Sequence, residues 1–329
     1  MRVLILGGTG FIGPHVVRYA MSRGHQITIF TRGRHDGELP DGVTRLTGDR
    51  NGQLGALSGG RWDAVIDDSA TNPDWVKQSA AALKDSGRYL FTSSTGVYYP
   101  YLTPKLDESI DPHATMIDPK DQDEAYGVQK RQCELEVLRV FGNRGLVVRP
   151  TYIVGPGDTT DRFPYWVARL PLGGDVLALG HRDDPVEWID VRDLAVFYVT
   201  LLENQQSGVF NGVSPAAMTS SRHFYESVQK TLNPKATMVY VDDDALLERN
   251  GLVEVVPWVL RTGNNRYATS VSTSKSVAAG LKARPLVETL RDTAAWWPTV
   301  AEARRLKPKF AITPDIERKV LAAWNSRRR

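Results

Sequence analysis

Val3-Leu4-Ile5-Leu6-Gly7-Gly8-Thr9-Gly10-Phe11-Ile12-Gly13 is the stretch that decides the fold. A short apolar run of this kind reads as a strand buried on both faces, and a glycine-rich turn follows it without a gap. Glycine at 7 permits a tight turn, glycine at 10 lets the backbone approach a pyrophosphate, and glycine at 13 lets the next helix pack on the strand. The helix that opens there turns unpaired amide groups toward the anion. In this context the turn marks a dinucleotide-binding unit.

Outward from it, short β-branched runs alternate with longer amphipathic stretches, the pattern of a parallel sheet flanked by helices. Strands are predicted over Val3 to Leu6, Gln26 to Phe30, Thr44 to Leu46, Ala64 to Asp67, Tyr89 to Ser93 and Leu146 to Val148. Helices are predicted over Ile12 to Arg23, Trp75 to Lys84 and Tyr126 to Phe141, the second opened by Asn72-Pro73-Asp74. After Pro150, turn residues thicken in Gly155-Pro156-Gly157-Asp158 and Leu172-Gly173-Gly174-Asp175, which marks a change of lobe. An apolar helix expected over Asp190 to Leu202 returns to the first lobe. The expected class is α/β: a Rossmann-like doubly wound parallel sheet with a smaller, interleaved C-terminal substrate lobe. Residues 1–150 form the dinucleotide-binding domain, with 189–212 returning to it, and 151–188 with 213–329 form the substrate-binding lobe.

A chain of 329 residues, 41% of them hydrophobic, exceeds the size at which one core stops growing. Its 41 basic and 38 acidic side chains leave a formal charge of +3, which argues for no nucleic-acid or membrane partner. Cys133 is the only cysteine, so no intrachain disulfide and no thiolate-rich metal site is expected. The histidines at 15, 25, 35, 113, 181 and 223 show no two-histidine metal spacing, and no metal is expected. The first strand begins too near Met1 to leave room for a signal segment, and no apolar run approaches the roughly 18 residues that span a bilayer. A cytoplasmic enzyme acting on a small molecule is the expectation, with a homodimer as its candidate assembly.

NAD binders usually end the second strand with a carboxylate that accepts from the adenosine ribose. Here Ile27-Thr28-Ile29-Phe30 runs into Thr31-Arg32-Gly33-Arg34. The missing carboxylate removes repulsion toward a 2′-phosphate, and Arg32 and Arg34 are cations for it, so NADP is expected in preference to NAD. Asp49, just after the third strand, is a candidate for the adenine edge.

The fifth strand leads into Thr92-Ser93-Ser94-Thr95-Gly96-Val97-Tyr98, and Tyr126-Gly127-Val128-Gln129-Lys130 follows. Tyr126 and Lys130 stand four apart and share one helix face. A phenol titrates near 10, so a tyrosine base working near neutrality needs a depression of roughly 3 units, about 4 kcal/mol. A neighbouring ammonium and a cationic nicotinamide supply it together. Ser94 then holds the substrate oxygen.

These landmarks resemble the extended short-chain dehydrogenases/reductases, often labelled the NAD-dependent epimerase/dehydratase family. Arg149-Pro150, the Gly155 to Asp158 turn, Ile189-Asp190-Val191-Arg192-Asp193-Leu194-Ala195 and Asn211 extend the resemblance over nearly the whole chain. It implies Ser94, Tyr126 and Lys130 as catalytic residues. Gly7, Gly10, Phe11, Ile12 and Gly13 would carry the cofactor diphosphate, Ser69 and Ala70 would pass under the cofactor, and Lys130 would reach the nicotinamide ribose. The acidic pair of sugar-nucleotide 4,6-dehydratases is missing after Thr95, which argues against that reaction. The expected activity is hydride transfer at a carbinol or carbonyl carbon of a sugar-like or other hydroxy/keto substrate, with Tyr126 as acid and base. Two alternatives stand: a sugar or sugar-nucleotide epimerase, and a nonenzymatic cofactor-sensing or RNA-binding module.

One departure bears on the substrate. Sugar-nucleotide members carry an arginine for the substrate diphosphate where this chain has Val186, and valine lacks bidentate donors. Arg182 is the nearest replacement, with Arg162 and Arg169 further off. A smaller neutral sugar or glycoside is therefore expected, held partly by Trp166 and Trp188.

Overall fold

The computed structural model describes residues 1–34, 39–68, 70–215 and 219–327. The chain divides into two compact units. The first comprises Met1–Thr151, Val191–Val213 and Val271–Lys282, and the second Tyr152–Asp190, Ser214–Ser270 and Ala283–Arg329.

The first unit is built on β1 (Arg2–Leu6), β2 (Gln26–Thr31), β3 (Thr44–Thr47), β4 (Ala64–Asp67), β5 (Arg88–Thr92), β6 (Gly145–Pro150) and the strand Gly208–Gly212. All seven pair in parallel, in the order Gly208–Gly212, β6, β5, β4, β1, β2, β3. The chain winds outward from β1 to β3 and then returns to the other side of β1. The order therefore reverses between β1 and β4, and ligands of such sheets bind outside the strand ends at that reversal. Leu6 is in register with both Phe30 and Asp67, so the glycine turn leaves the sheet level with the ends of β2 and β4.

Helix α1 (Gly13–Ser22) packs with the helix Val191–Glu203, and α2 (Pro73–Ala82) packs with α3 (Gln122–Phe141). Side chains alternate along a strand. Leu4 and Leu6 thus join Val65, Tyr89 and Phe91 in one core with Val76, Ala80, Cys133 and Val137. The Asn72 side chain accepts from the Asp74 amide and starts α2, with Pro73 in the first turn where its missing N–H costs nothing. Asp121 starts α3 by accepting from the amides of Asp123 and Glu124. Helix α3 therefore begins four residues earlier than the expected start at Tyr126, because the cap lies in a polar stretch without apolar periodicity. The segment 271–282 carries no such signal either; it belongs to the first unit, where Val271 bridges Leu106 and Ser276 Oγ donates to the Asn211 carbonyl at 2.6 Å.

In the second unit, Asp175–Leu179 pairs in parallel with Thr237–Val241. Trp166, Trp188, Phe224, Tyr225 and Trp258 fill its core. Among the described residues, no helix is long and apolar enough to cross a membrane.

Candidate active site

At the glycine turn, the Gly7 amide donates to the Phe30 carbonyl at 3.0 Å, and Gly7 adopts φ 111°, a left-handed value that favours glycine. A methyl at Gly13 would stand 2.3 Å from Gly8 Cα, so only hydrogen fits where α1 crosses the turn. Gly10 is the opposite case: a methyl there would meet nothing within 4 Å. The residue preceding α1, Ile12, gives no side-chain cap to the helix amides. An uncapped helix start beside open space at Gly10 is a cradle for a diphosphate. The open space at Gly10 and the uncapped helix start at Ile12 leave room there for a diphosphate.

Ser94 lies two residues beyond β5 and caps the short helical turn Thr95–Tyr98, its Oγ accepting from the Gly96 amide at 3.0 Å. A methyl placed on Gly96 would lie 3.1 Å from two ring carbons of Tyr126 and 3.2 Å from Ser94 Oγ, so the two side chains flank one gap. Tyr126 is 42% exposed. One turn on, Lys130 is buried and donates to the carbonyls of Ala70 at 2.8 Å and Thr92 at 2.9 Å. Its ammonium lies 6.0 Å from the Tyr126 ring centroid and 5.1 Å from that of Phe91. Burial lowers the Lys130 pKa from 10.5 to about 8, because the charged form has lost most of its water.

The other expected positions fare differently. Ala70 is fully buried and offers its carbonyl to Lys130, while Ser69 lies outside the described residues. The Asp49 side chain accepts from the Asn51 amide at 2.9 Å and so closes its own turn. Trp166 is fully buried, packs on Phe224 and Tyr225, and donates through Nε1 to the Val256 carbonyl. Trp188 is 3% exposed and packs on Phe224. Both are core rings without a free face, which corrects the expectation that they line a substrate surface. Arg182 is exposed, with its guanidinium 4.0 Å from the Tyr240 centroid. Arg169 is tied to Glu317, and Arg162 to Glu254.

Two buried ion pairs escaped the reading of the sequence. Arg50 pairs with the fully buried Asp67 at the end of β4, and Arg149 pairs with Glu134. The signal was present: Asp67 and Arg149 each stand in a strand whose other residues are apolar, and a buried charge requires a partner.

The model of the NAD dependent epimerase/dehydratase family matches residues 3–86 and 74–212. The chain belongs to that family. Membership makes it a cofactor-dependent enzyme of the oxidoreductase and epimerase kind. Among relatives in this and neighbouring groups, it is 29% identical over 231 residues to the chloroplast stem-loop binding protein of 41 kDa b of Arabidopsis thaliana, a match covering 64% of this chain and 58% of that protein. It is 27% identical to the epimerase family protein SDR39U1 of Bos taurus, covering 72% and 82%. Among solved structures, UDP-glucuronic acid 4-epimerase from Bacillus cereus in complex with NAD superposes with a TM-score of 0.68 at 16% identity, over 91% of this chain and 99% of that one. WbmH from Bordetella bronchiseptica in complex with NAD+ gives 0.63 at 18% identity, over 91% and 99%. At these identities the superpositions speak for the fold.

The expectation of NADP is corrected by these similar solved structures, which are complexes with NAD. The physical reason lies in the loop after β2. The Thr31 hydroxyl accepts from the Gly33 amide at 3.2 Å, and Arg32 and Arg34 are exposed. A missing carboxylate and two hydrated surface charges do not amount to a phosphate grip, which needs guanidinium groups held in bidentate geometry.

Proposed function

We propose that the protein is an NAD-dependent epimerase acting on a carbinol carbon of a sugar or sugar nucleotide. The observation that carries the reading is the single gap flanked by Ser94 Oγ and the Tyr126 ring, with the Lys130 ammonium buried behind it. The epimerase names of the related structures support it over net reduction. In this reading the first unit binds NAD and carries Ser94, Tyr126 and Lys130.

NAD held at the glycine turn supplies a reversible hydride acceptor. Ser94 Oγ holds the substrate hydroxyl by a hydrogen bond, and the Tyr126 phenolate removes its proton as the carbon is oxidised. The Lys130 charge favours that phenolate. Return of that hydride to the other face of the keto carbon, with Tyr126 giving back the proton, would leave the opposite configuration. Lys130 is anchored by two carbonyls, which leaves its third N–H for a ribose hydroxyl. Val186 is fully buried, so a nucleotide sugar would rely on the exposed Arg182 for its phosphates.

The test is incubation of the protein and NAD with a panel of UDP-sugars, free sugars and glycosides in deuterated water, read by proton NMR. Inversion without deuterium at the inverted carbon and without net NADH supports an epimerase. Stoichiometric NADH formation would replace it with a dehydrogenase, and deuterium at that carbon would exclude hydride return.

A further inference from the structure

Ser94 lies in the stretch 93–98, both ends of which are tied to one buried ion pair. At one end, Ser93 Oγ donates to Glu134 Oε1 at 2.6 Å. At the other, Tyr98 Oη accepts from Arg149 Nη1 at 2.9 Å and donates to Asn211 Oδ1 at 2.9 Å. Arg149 grips Glu134 through two parallel bonds of 2.8 and 2.7 Å, and Arg131 adds a bond of 3.0 Å to Glu134 Oε2. Glu134 is wholly buried and Arg149 is 1% exposed. Tyr126, Lys130 and Glu134 stand at successive steps of four along α3 and share its face. The ion pair therefore rests on the helix that carries Tyr126 and Lys130, and it holds the stretch that carries Ser94.

A buried pair of this kind gives little stability over apolar packing of equal volume. What it gives is direction, since bidentate charged bonds fix positions more narrowly than apolar contacts do. We infer that Glu134 and Arg149 are positioning residues which, through Ser93 and Tyr98, set the gap between Ser94 Oγ and the Tyr126 phenol. The inference rests on the reading of Ser94 and Tyr126 as the proton-handling pair. A purely structural ion pair would affect folding and leave the chemistry of Tyr126 unchanged.

Tyrosine labelled with carbon-13 at Cζ allows the Tyr126 phenol to be titrated by NMR in the full-length protein with NAD, its signal identified by loss in Tyr126→Phe. A Ser94 hydroxyl that donates to the phenolate across the gap would hold its pKa down, so Ser94→Ala is expected to shift the titration upward by about half to one unit. Ser93→Ala keeps the ion pair intact and is expected to give a comparable upward shift, with Ser93→Thr restoring the wild-type value. In the Ser94→Ala background, Ser93→Ala should add nothing, because residues acting through one another are not additive. Tyr98→Phe, which releases the other end, is the second variant should Ser93→Ala melt early, and the same shift is expected of it. Wild-type titration in Ser93→Ala and Tyr98→Phe, or a full additional shift on top of Ser94→Ala, would overturn the positioning role while leaving the catalytic reading in place. If Ser94→Ala itself left Tyr126 unmoved, the catalytic reading would fail and the positioning role with it.

Discussion

Gly127 and Gly96 meet backbone to backbone: a methyl at Gly127 would stand 2.4 Å from the Gly96 carbonyl oxygen and 3.5 Å from Val97 Cα. This contact seats α3 on the turn after β5 and brings Tyr126 beside Ser94. In an ordinary helix interior, alanine is better than glycine by about 1 kcal/mol. Here the added methyl must push against a backbone, and overpacking of that kind costs about 1–3 kcal/mol. Gly127→Ala is expected to lose stability in urea unfolding and to slow turnover at least ten-fold as α3 backs away. Wild-type stability and turnover would show that the contact does not set the gap.

Gly10 gives the complementary test. Because a side chain there enters open space, Gly10→Val should change unfolding free energy by no more than about 0.5 kcal/mol. The same side chain fills the diphosphate cradle, so NAD affinity measured by calorimetry is expected to fall at least ten-fold. Undiminished NAD binding would move the diphosphate elsewhere.

Lys130 titrates near 8 in the folded protein against an ordinary value of 10.5. Between those values the unfolded chain binds more protons than the native one, so this group's contribution to stability rises with pH across that window. Below about 8 both states are charged and the full cost of burying the ammonium applies. Urea unfolding at pH 7 and pH 10 should show a Lys130-dependent gain on the order of 1–3 kcal/mol at the higher pH, absent in Lys130→Met. Turnover should move in the other direction and fall above pH 8, since loss of the ammonium raises the Tyr126 pKa. A turnover profile flat from pH 7 to 10 would remove Lys130 from the chemistry.

Arg149→Met leaves a buried carboxylate with one of its two arginines and is expected to cost about 3–5 kcal/mol in urea unfolding. Combining it with Glu134→Leu removes both charges and should recover most of that loss. A double variant as unstable as Arg149→Met alone would mean that packing, and not the stranded charge, governs the site.

The sequence was most legible where local chemistry and global fold agree. Six strands of the first unit and α1 and α2 lie within two residues of their expected bounds, because β-branched runs, glycine turns and the Asn72-Pro73 start signal act locally; the seventh strand, Gly208–Gly212, was not among the expected ones. Tyr126 and Lys130 were legible through helical spacing. The Glu134 and Arg149 pair was not, since the partners come from different elements and only the fold brings them together. Trp166 and Trp188 show the reverse limit: an aromatic ring reads alike in a pocket and in a core, and here the core of the second unit claims both. The loop after β2 was over-read, because a charge in a sequence does not reveal whether anything holds it in place.

The account stands on Tyr126 as the group that moves the substrate proton. Tyr126→Phe keeps the ring and its packing, so NAD binding by calorimetry should match that of the native protein. Turnover of the sugar identified in the deuterium experiment should fall by roughly 10² to 10⁴, the range for loss of a general acid and base. Turnover within a few-fold of the native enzyme, with NAD still bound, would contradict the account.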